Sequence, residues 1–419
     1  MFFVQPMFSM RGTSSVNATT STSPIELGAC DQIALIKREI AATATRPLER
    51  ATTLPREAFL NPGFYQLESE AVLKAGWLAL GHVSQLKEKG SYLAIELLNE
   101  PLLVIRGDDE QIRVLSRSCP HRGTDIAHPC LGLPRSGKTK RFVCPYHAWS
   151  FDLQGELRVA PQMERAEGFN KHDWPLARFR SEVWEGFIFV NLDGKASPLA
   201  EQYSDFQTRI AAWGCAELEL VYEHEWPGAF NWKIMVENWS ECYHHIGTHN
   251  KTLQSTWPAQ NVIVADEHPH FMHTELVYSD GAMSSIENGE KYYVFPPIPN
   301  LPLGGRVDFW IFLGYPCFLL AVLKDCVLWL RVIPNGVDSC TILTTILVPK
   351  DTTRLDNFAE LKATMEQMFV GFHSEDMLIN VAVQDGLKSS KAVIGRLSHI
   401  ESPVWMFHRY LARQLAGVA

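Results

Sequence analysis

Four residues stand in two short stretches: Cys119-Pro120-His121 and Cys144-Pro145-Tyr146-His147, with 22 residues between the halves. Each stretch offers one thiolate and one imidazole. Two cysteines and two histidines suit tetrahedral Zn²⁺. They also suit a [2Fe–2S] cluster with both thiolates on one iron and both imidazoles on the other, where neutral imidazoles remove negative charge and raise the reduction potential. A proline directly after each cysteine favours the cluster. It stiffens the turn and brings no N–H of its own, so neighbouring amides can turn toward the sulfurs. His128 and Cys130, between the halves, match no ligand position.

A cluster only stores and passes electrons, and a second stretch has the residues to use them. ENWSECYHHIGTH supplies Glu241, His244 and His249. On a helix Glu241 and His244, three apart, share a face, and His249 follows Gly247, where the chain can turn back. Two histidines and one remote carboxylate make the facial triad of non-haem Fe(II) sites, which leaves positions open for O₂ and substrate. The carboxylate must come from another element, and HSEDMLINVAVQDGLKS offers Asp376. His245 points elsewhere on a helix and is given a structural part. The plain alternative is a histidine-rich helix that holds no metal.

Arg122-Gly123 after the first histidine, and Ala148-Trp149-Ser150-Phe151 with Gly155 after the second, complete a stretch that resembles the Rieske motif in its oxygenase form. The later block resembles the catalytic domain of Rieske oxygenase alpha subunits. There an acidic residue, then Asp, then Gln eight positions on and Gly-Leu mark the helix of the third iron ligand. Here these are Glu375, Asp376, Gln384, Gly386 and Leu387, with Glu375 as rival ligand. The resemblance spans about residues 50 to 415. It departs from the family in a longer gap between the motif halves, whose surplus, LPRSGKTKR, reads as a polar loop bulging outward.

The resemblance implies a terminal oxygenase with a Rieske [2Fe–2S] cluster on Cys119, His121, Cys144 and His147 and Fe(II) on His244, His249 and Asp376. Electrons come from NAD(P)H through a separate flavin/iron–sulfur reductase, and O₂ and a small organic substrate meet at the iron. It also implies a head-to-tail homotrimer in which Glu241 bridges cluster and iron along His147, Glu241, His244. The family commonly has Asp at this bridge. Glu looks like the branch that oxidises quaternary-ammonium compounds such as carnitine, glycine betaine and choline. An aromatic-acid ring-hydroxylating dioxygenase is the alternative substrate class. A ferredoxin-type electron carrier and a zinc-binding interaction protein are the alternatives of other classes.

These residues need a frame. A chain of 419 residues, 46% hydrophobic and 20% charged, reads as a globular protein of more than one domain. A net charge of −9 argues against a nucleic-acid partner. Nine dispersed cysteines read as a reducing, cytoplasmic setting. The apolar run Phe309 to Leu323, broken by Gly314 and Pro316, is too short for a membrane span and reads as two buried strands. Residues 1–30, Ser/Thr-rich, read as a disordered extension. Residues 31–80 form an N-terminal helical segment, opening with a helix capped by Asp31, that by resemblance joins the catalytic domain. Residues 81–195 form an all-β Rieske unit, and 196–419 a catalytic α+β unit. By resemblance the latter is of helix-grip type, a curved antiparallel sheet with a long C-terminal helix. NWKIMVENWSECYHHIGTH reads as one helix ending near Gly247. The aromatic strands after Phe271 should wall the pocket, with Trp310, Tyr315 and Trp329 as candidates for a cage around a methylammonium and Asn238 placed to orient substrate. His268, His270 and His273 read as solvated or core residues.

Overall fold

The structure, a computed structural model, describes residues 28–131 and 134–417. The extension expected over residues 1–30 lies, as far as residue 27, outside them. Two seven-stranded antiparallel sheets and a small three-stranded one build the molecule. The first sheet runs, in spatial order, Leu78–His82, Phe187–Asn191, Arg178–Trp184, Ile112–Ser116, Glu100–Arg106, Ser91–Leu97 and Ser136–Lys138. Its strand Glu100–Arg106 is buried on both faces. Leu102 and Val104 join the large core shared with the rest of the chain, whereas Leu103 and Ile105 face Cys119, Cys144 and Trp149. The two-residue period of a strand thus sends alternate side chains into two cores. The three-stranded sheet, Phe142–Val143, Ser150–Phe151 and Leu157–Val159, carries the second Cys-Pro loop.

The supposed loop LPRSGKTKR is in part an edge strand. Ser91 pairs with Lys138, Tyr92 with Gly137 and Leu93 with Ser136. All three residues of this strand are exposed, so no apolar alternation announces it. Tyr92 lies against Gly137, where an added Cβ would meet the ring at 3.4 Å.

The second sheet runs Leu218–Gly228, Ser339–Pro349, Val327–Gly336, Phe318–Val322, Val307–Gly314, Phe271–Val277 and Ile263–Val264. The Phe309–Leu323 run forms the expected strand pair, with Gly314 opposite Phe318. This curled sheet and its helices make the α+β part of the expected fold class. The longest helices are α1 (Ala29–Thr45), α2 (Trp232–Ser240), α3 (Phe358–Leu387) and α4 (Ser402–Leu415). Asp31 is not the cap of α1. Gly28 holds that position without a side-chain bond, and Asp31 falls in the first turn, where a carboxylate still suits the helix dipole. The end of α1 is tied to α4 by Trp405 Nε1 on the Arg46 carbonyl (2.9 Å) and Arg409 Nη1 on the Ala44 carbonyl (3.0 Å).

Two sets of bonds fix α2. Asn231 caps it by accepting the Lys233 N–H (3.0 Å), and the Asn231 N–H donates to Gln384 Oε1 on α3 (2.9 Å). Lys233 then reaches Glu68 at 2.8 Å, both side chains fully buried, and Trp232 Nε1 donates to the same oxygen. Burial raises the Glu68 carboxyl and lowers the Lys233 ammonium, and their mutual attraction offsets this only in part. Among the described residues no helix is long and apolar enough to cross a membrane.

Candidate metal centres

The two Cys-Pro loops are the same turn built twice. Gly123 N–H donates to the Cys119 carbonyl (2.8 Å) and Cys119 N–H to the Thr124 carbonyl (2.9 Å). Ala148 N–H donates to the Cys144 carbonyl (3.0 Å) and Cys144 N–H to the Trp149 carbonyl (2.7 Å). Each turn needs a left-handed residue four positions after its cysteine: Gly123 at φ 71° and Ala148 at φ 59°. Gly takes that conformation freely, while Ala is strained there by about 1–2 kcal/mol.

The turns bury Cys119 and Cys144 and leave His147 exposed and His121 half-buried. The imidazole centroids lie 4.6 Å apart, and Trp149 stacks on His121 at 4.7 Å with its plane tilted by 8°. Burial pushes the Cys119 thiol up to about 11; the His121 N–H opposes this, and the adjoining Cys144 thiol adds to it. Desolvation, then His121 and Arg122, lower His147. Two buried cysteines side by side, beneath two imidazoles turned toward the surface, fit a metal centre that deprotonates its sulfur ligands. His128 Nδ1 lies 2.8 Å from Cys130 Sγ on an exposed turn.

At the second stretch the helix stops earlier than the sequence suggests. α2 ends at Ser240. Glu241 is extended (φ −134°, ψ 156°) and a short 3₁₀ turn, Tyr243–Ile246, follows. Two side chains explain the break. Ser240 Oγ bonds back to the Val236 carbonyl (2.6 Å), and Glu241 Oε2 accepts the N–H of His244 (3.1 Å), as a cap does for a new turn. Glu241 Oε1 also takes His244 Nδ1 at 2.8 Å. Glu241 and His244 therefore meet as expected, across a break rather than on one helical face.

Nitrogen and oxygen atoms of His244, His249 and Asp376 converge within 4.8 Å of one another. Asp376 Oδ1 is 2.9 Å from His249 Nε2 and 3.6 Å from His244 Nε2, and Asn238 Nδ2 donates to it at 3.2 Å. Asn238 thus steadies this carboxylate. Glu375 lies behind His249, its Oε2 taking Nδ1 at 2.6 Å and the Thr252 hydroxyl at 2.8 Å. With Nδ1 of both rings turned to a carboxylate, both Nε2 atoms face Asp376, the arrangement that orients imidazoles for a metal. Burial alone would lower His249, but Asp376 and Glu375 carry it above its ordinary value; burial would raise Asp376, but His249 and His244 hold it below. His245 turns away to the Trp257 carbonyl (2.9 Å), and burial, helped by His244, pushes it down to about 3.

A cavity of about 320 Å³ opens on these residues. Its aromatic wall differs from the expectation. Phe309 and Ile311 face the cavity; Trp310, between them on the same strand, packs with Trp329 and Phe312 in a separate core. Tyr315 stacks on Tyr410 at 4.5 Å. None of the three proposed cage residues lines the cavity. In their place stands a corner of three rings: Trp257 meets Phe309 at 5.4 Å and 79°, and Tyr292 at 6.3 Å and 70°. Behind it is buried Asp308, which accepts Trp257 Nε1 at 3.0 Å, the Tyr278 hydroxyl, and Lys324 Nζ at 3.1 Å. Trp257 sits eight residues beyond His249, and an aromatic that soon after a ligand loop was the signal available. His273 is a core residue, bonded to Arg209 at 2.9 Å and stacked on Phe312. A larger cleft, about 550 Å³, lies between the sheets, lined by Arg117, Asp125 and Arg331 among others and by none of the converging residues.

The sequence patterns of known families match this chain in two places: the Rieske [2Fe-2S] domain over residues 76–179 and the ring-hydroxylating alpha subunit (catalytic domain) over residues 215–417. The carnitine monooxygenase oxygenase subunit of Acinetobacter pittii is 28% identical over 351 residues, covering 81% of this chain and 86% of its own. The chloroplastic choline monooxygenase of Arabidopsis thaliana is 24% identical over 380 residues, covering 88% and 84%. The crystal structure of a quaternary ammonium Rieske monooxygenase shares the fold, with a TM-score of 0.75 at 23% identity, covering 89% of this chain and 97% of that one.

Proposed function

The chain belongs to the catalytic alpha subunits of the Rieske non-haem iron oxygenases, and on that premise we propose that its substrate is a small quaternary-ammonium compound. Its cofactors are a Rieske [2Fe–2S] cluster and a non-haem iron, and its electrons come from a reductase. In this reading Cys119 and Cys144 hold one cluster iron, and His121 and His147 the other. His244, His249 and Asp376 hold the catalytic iron, and Glu375 serves as the partner of His249. When bound, the two centres supply single-electron transfer and O₂ activation. The chain's own residues do the rest. Glu241 and Glu375 fix the two imidazoles, Asn238 steadies Asp376, and the cavity holds the substrate's methyl-bearing end beside the converging atoms.

The chain divides, in the same reading, into a cluster unit over residues 81–195 and a catalytic unit over 196–419 to which residues 31–80 attach. Subunits assemble head to tail as a homotrimer. Glu241, already bound to His244, then accepts a second N–H from His147 of the partner subunit. The reductase is of the flavin/iron–sulfur type and draws on NAD(P)H.

One observation supports the quaternary-ammonium reading above the rest: Trp257, Tyr292 and Phe309 form an aromatic corner in the same cavity as the converging triad, with the Asp308 carboxylate behind it. Ring faces attract onium cations. The names of the relatives point the same way. The test is O₂ uptake with a generic reductase across choline, carnitine, glycine betaine and benzoate, scoring oxidised amine or aldehyde against diol. Onium-dependent uptake with an oxidised product is expected. Diol from benzoate with no response to any onium compound would overturn the reading.

A further inference from the structure

The wall of the iron-site cavity also constrains the part of the substrate that is not the onium head. Among the described residues no lysine or arginine lines it, and its acidic side chains are Glu241, Asp308 and Asp376. Lys324 is outside the lining. Its ammonium is bonded to Asp308 at 3.1 Å and lies 4.9 Å over the Tyr278 ring. Two wall groups do have hydrogen-bonding capacity left over. Thr344 Oγ1 and His373 Nε2 are buried without partners.

Resting on the terminal-oxygenase reading, we propose that this cavity takes onium compounds whose tail is uncharged, an alcohol, ester or amide, and excludes zwitterions bearing a carboxylate. A carboxylate entering here gives up its hydration and finds no guanidinium or ammonium on the wall in return, since the Lys324 ammonium is already bound to Asp308. An alcohol or ester gives up far less on entering. The cationic head gains on both counts: the aromatic corner attracts it, and the wall carboxylates share their sign with no part of it.

The test uses the anaerobic holoenzyme and matched ligand pairs, with binding followed by calorimetry. Carnitine and its methyl ester differ in the charge of the tail and by one methyl group. Choline and 3,3-dimethylbutanol differ only in the charge of the head. The ester should bind at least tenfold more tightly than the acid, a difference of about 1.4 kcal/mol, and choline at least tenfold more tightly than its uncharged isostere. Thr256→Lys, which sets an ammonium in the half-buried rim of the same cavity, should narrow the ester-to-acid ratio. Equal or tighter binding of the acid overturns the exclusion while leaving the onium reading standing. Equal binding of choline and 3,3-dimethylbutanol overturns the onium reading itself. A ratio that Thr256→Lys leaves unmoved in a folded variant also counts against the exclusion.

Discussion

The two centres are organised by opposite means. At the cluster loops the backbone does the positioning: each Cys-Pro turn closes on its own amides, and the histidines face outward, His121 against Trp149 and His147 beside Tyr146. At the second centre the backbone is broken and side chains do the positioning. Glu241 and Glu375 grip the two imidazoles from behind, and Asn238 holds Asp376. The difference matches the task. A centre that passes electrons on has its imidazoles at the surface. A centre that handles substrate and O₂ has them inside, where a carboxylate behind each ring replaces the orienting force of solvent.

The contrast can be broken most sharply by removing one ligand from each side. Asp376→Ala should empty the catalytic iron site while the cluster's visible spectrum and labile sulfide persist, and turnover should vanish. Cys144→Ser should do the reverse, and the two variants should be separable by iron and sulfide analysis. Glu241→Gln comes next. Both centres should stay loaded, yet coupled turnover should be abolished; a variant that still turns over removes Glu241 from the electron path. Glu375→Gln keeps the shape but weakens the grip on His249, and should lower iron affinity by about 10–100-fold in a chelator competition. Gln384→Ala removes the bond to the Asn231 amide and should lower stability in urea by about 1–3 kcal/mol, the cost of a buried donor left unpaired. Smallest is Ala148→Gly, which relieves the left-handed strain of the second turn. It should raise the unfolding midpoint slightly, by about 1 kcal/mol of stability, with no gain in activity.

How much of this was legible in the sequence depends on range. The cluster loops were readable because each turn is local, and residue type and spacing carry it whole. The equivalence of Gly123 and Ala148 was not, because alanine advertises nothing about a positive φ. His244 and His249 were readable from their spacing, but the helix was drawn too long, since the stop at Glu241 is made by a side chain capturing the His244 amide. The preference for Asp376 over Glu375 came through the family pattern; in the structure both meet His249, Glu375 at Nδ1 and Asp376 at Nε2, and Asp376 also lies near His244 Nε2. Of the three residues named for the aromatic cage, Trp310 was misplaced by a single step along its strand, while Tyr315 and Trp329 pack elsewhere. Phe309, Trp310 and Ile311 are all suitable wall residues, and alternation says they face opposite ways without saying which way is inward. The exposed strand Ser136–Lys138 had no apolar face to betray it.

The Asn231–Gln384 bond has a consequence for how such a chain can change. It joins residues 153 positions apart and clamps α2, which leads into the turn of His244 and His249, to α3, which carries Asp376, without passing through the sheet between them in sequence. The intervening strands and loops, which include the cavity's aromatic corner, are then free to be rebuilt while His244, His249 and Asp376 keep their convergence. Substrate preference becomes an adjustable lining inside a fixed bracket, and a designer wanting a new substrate should redraw residues 250–345 and leave that amide alone.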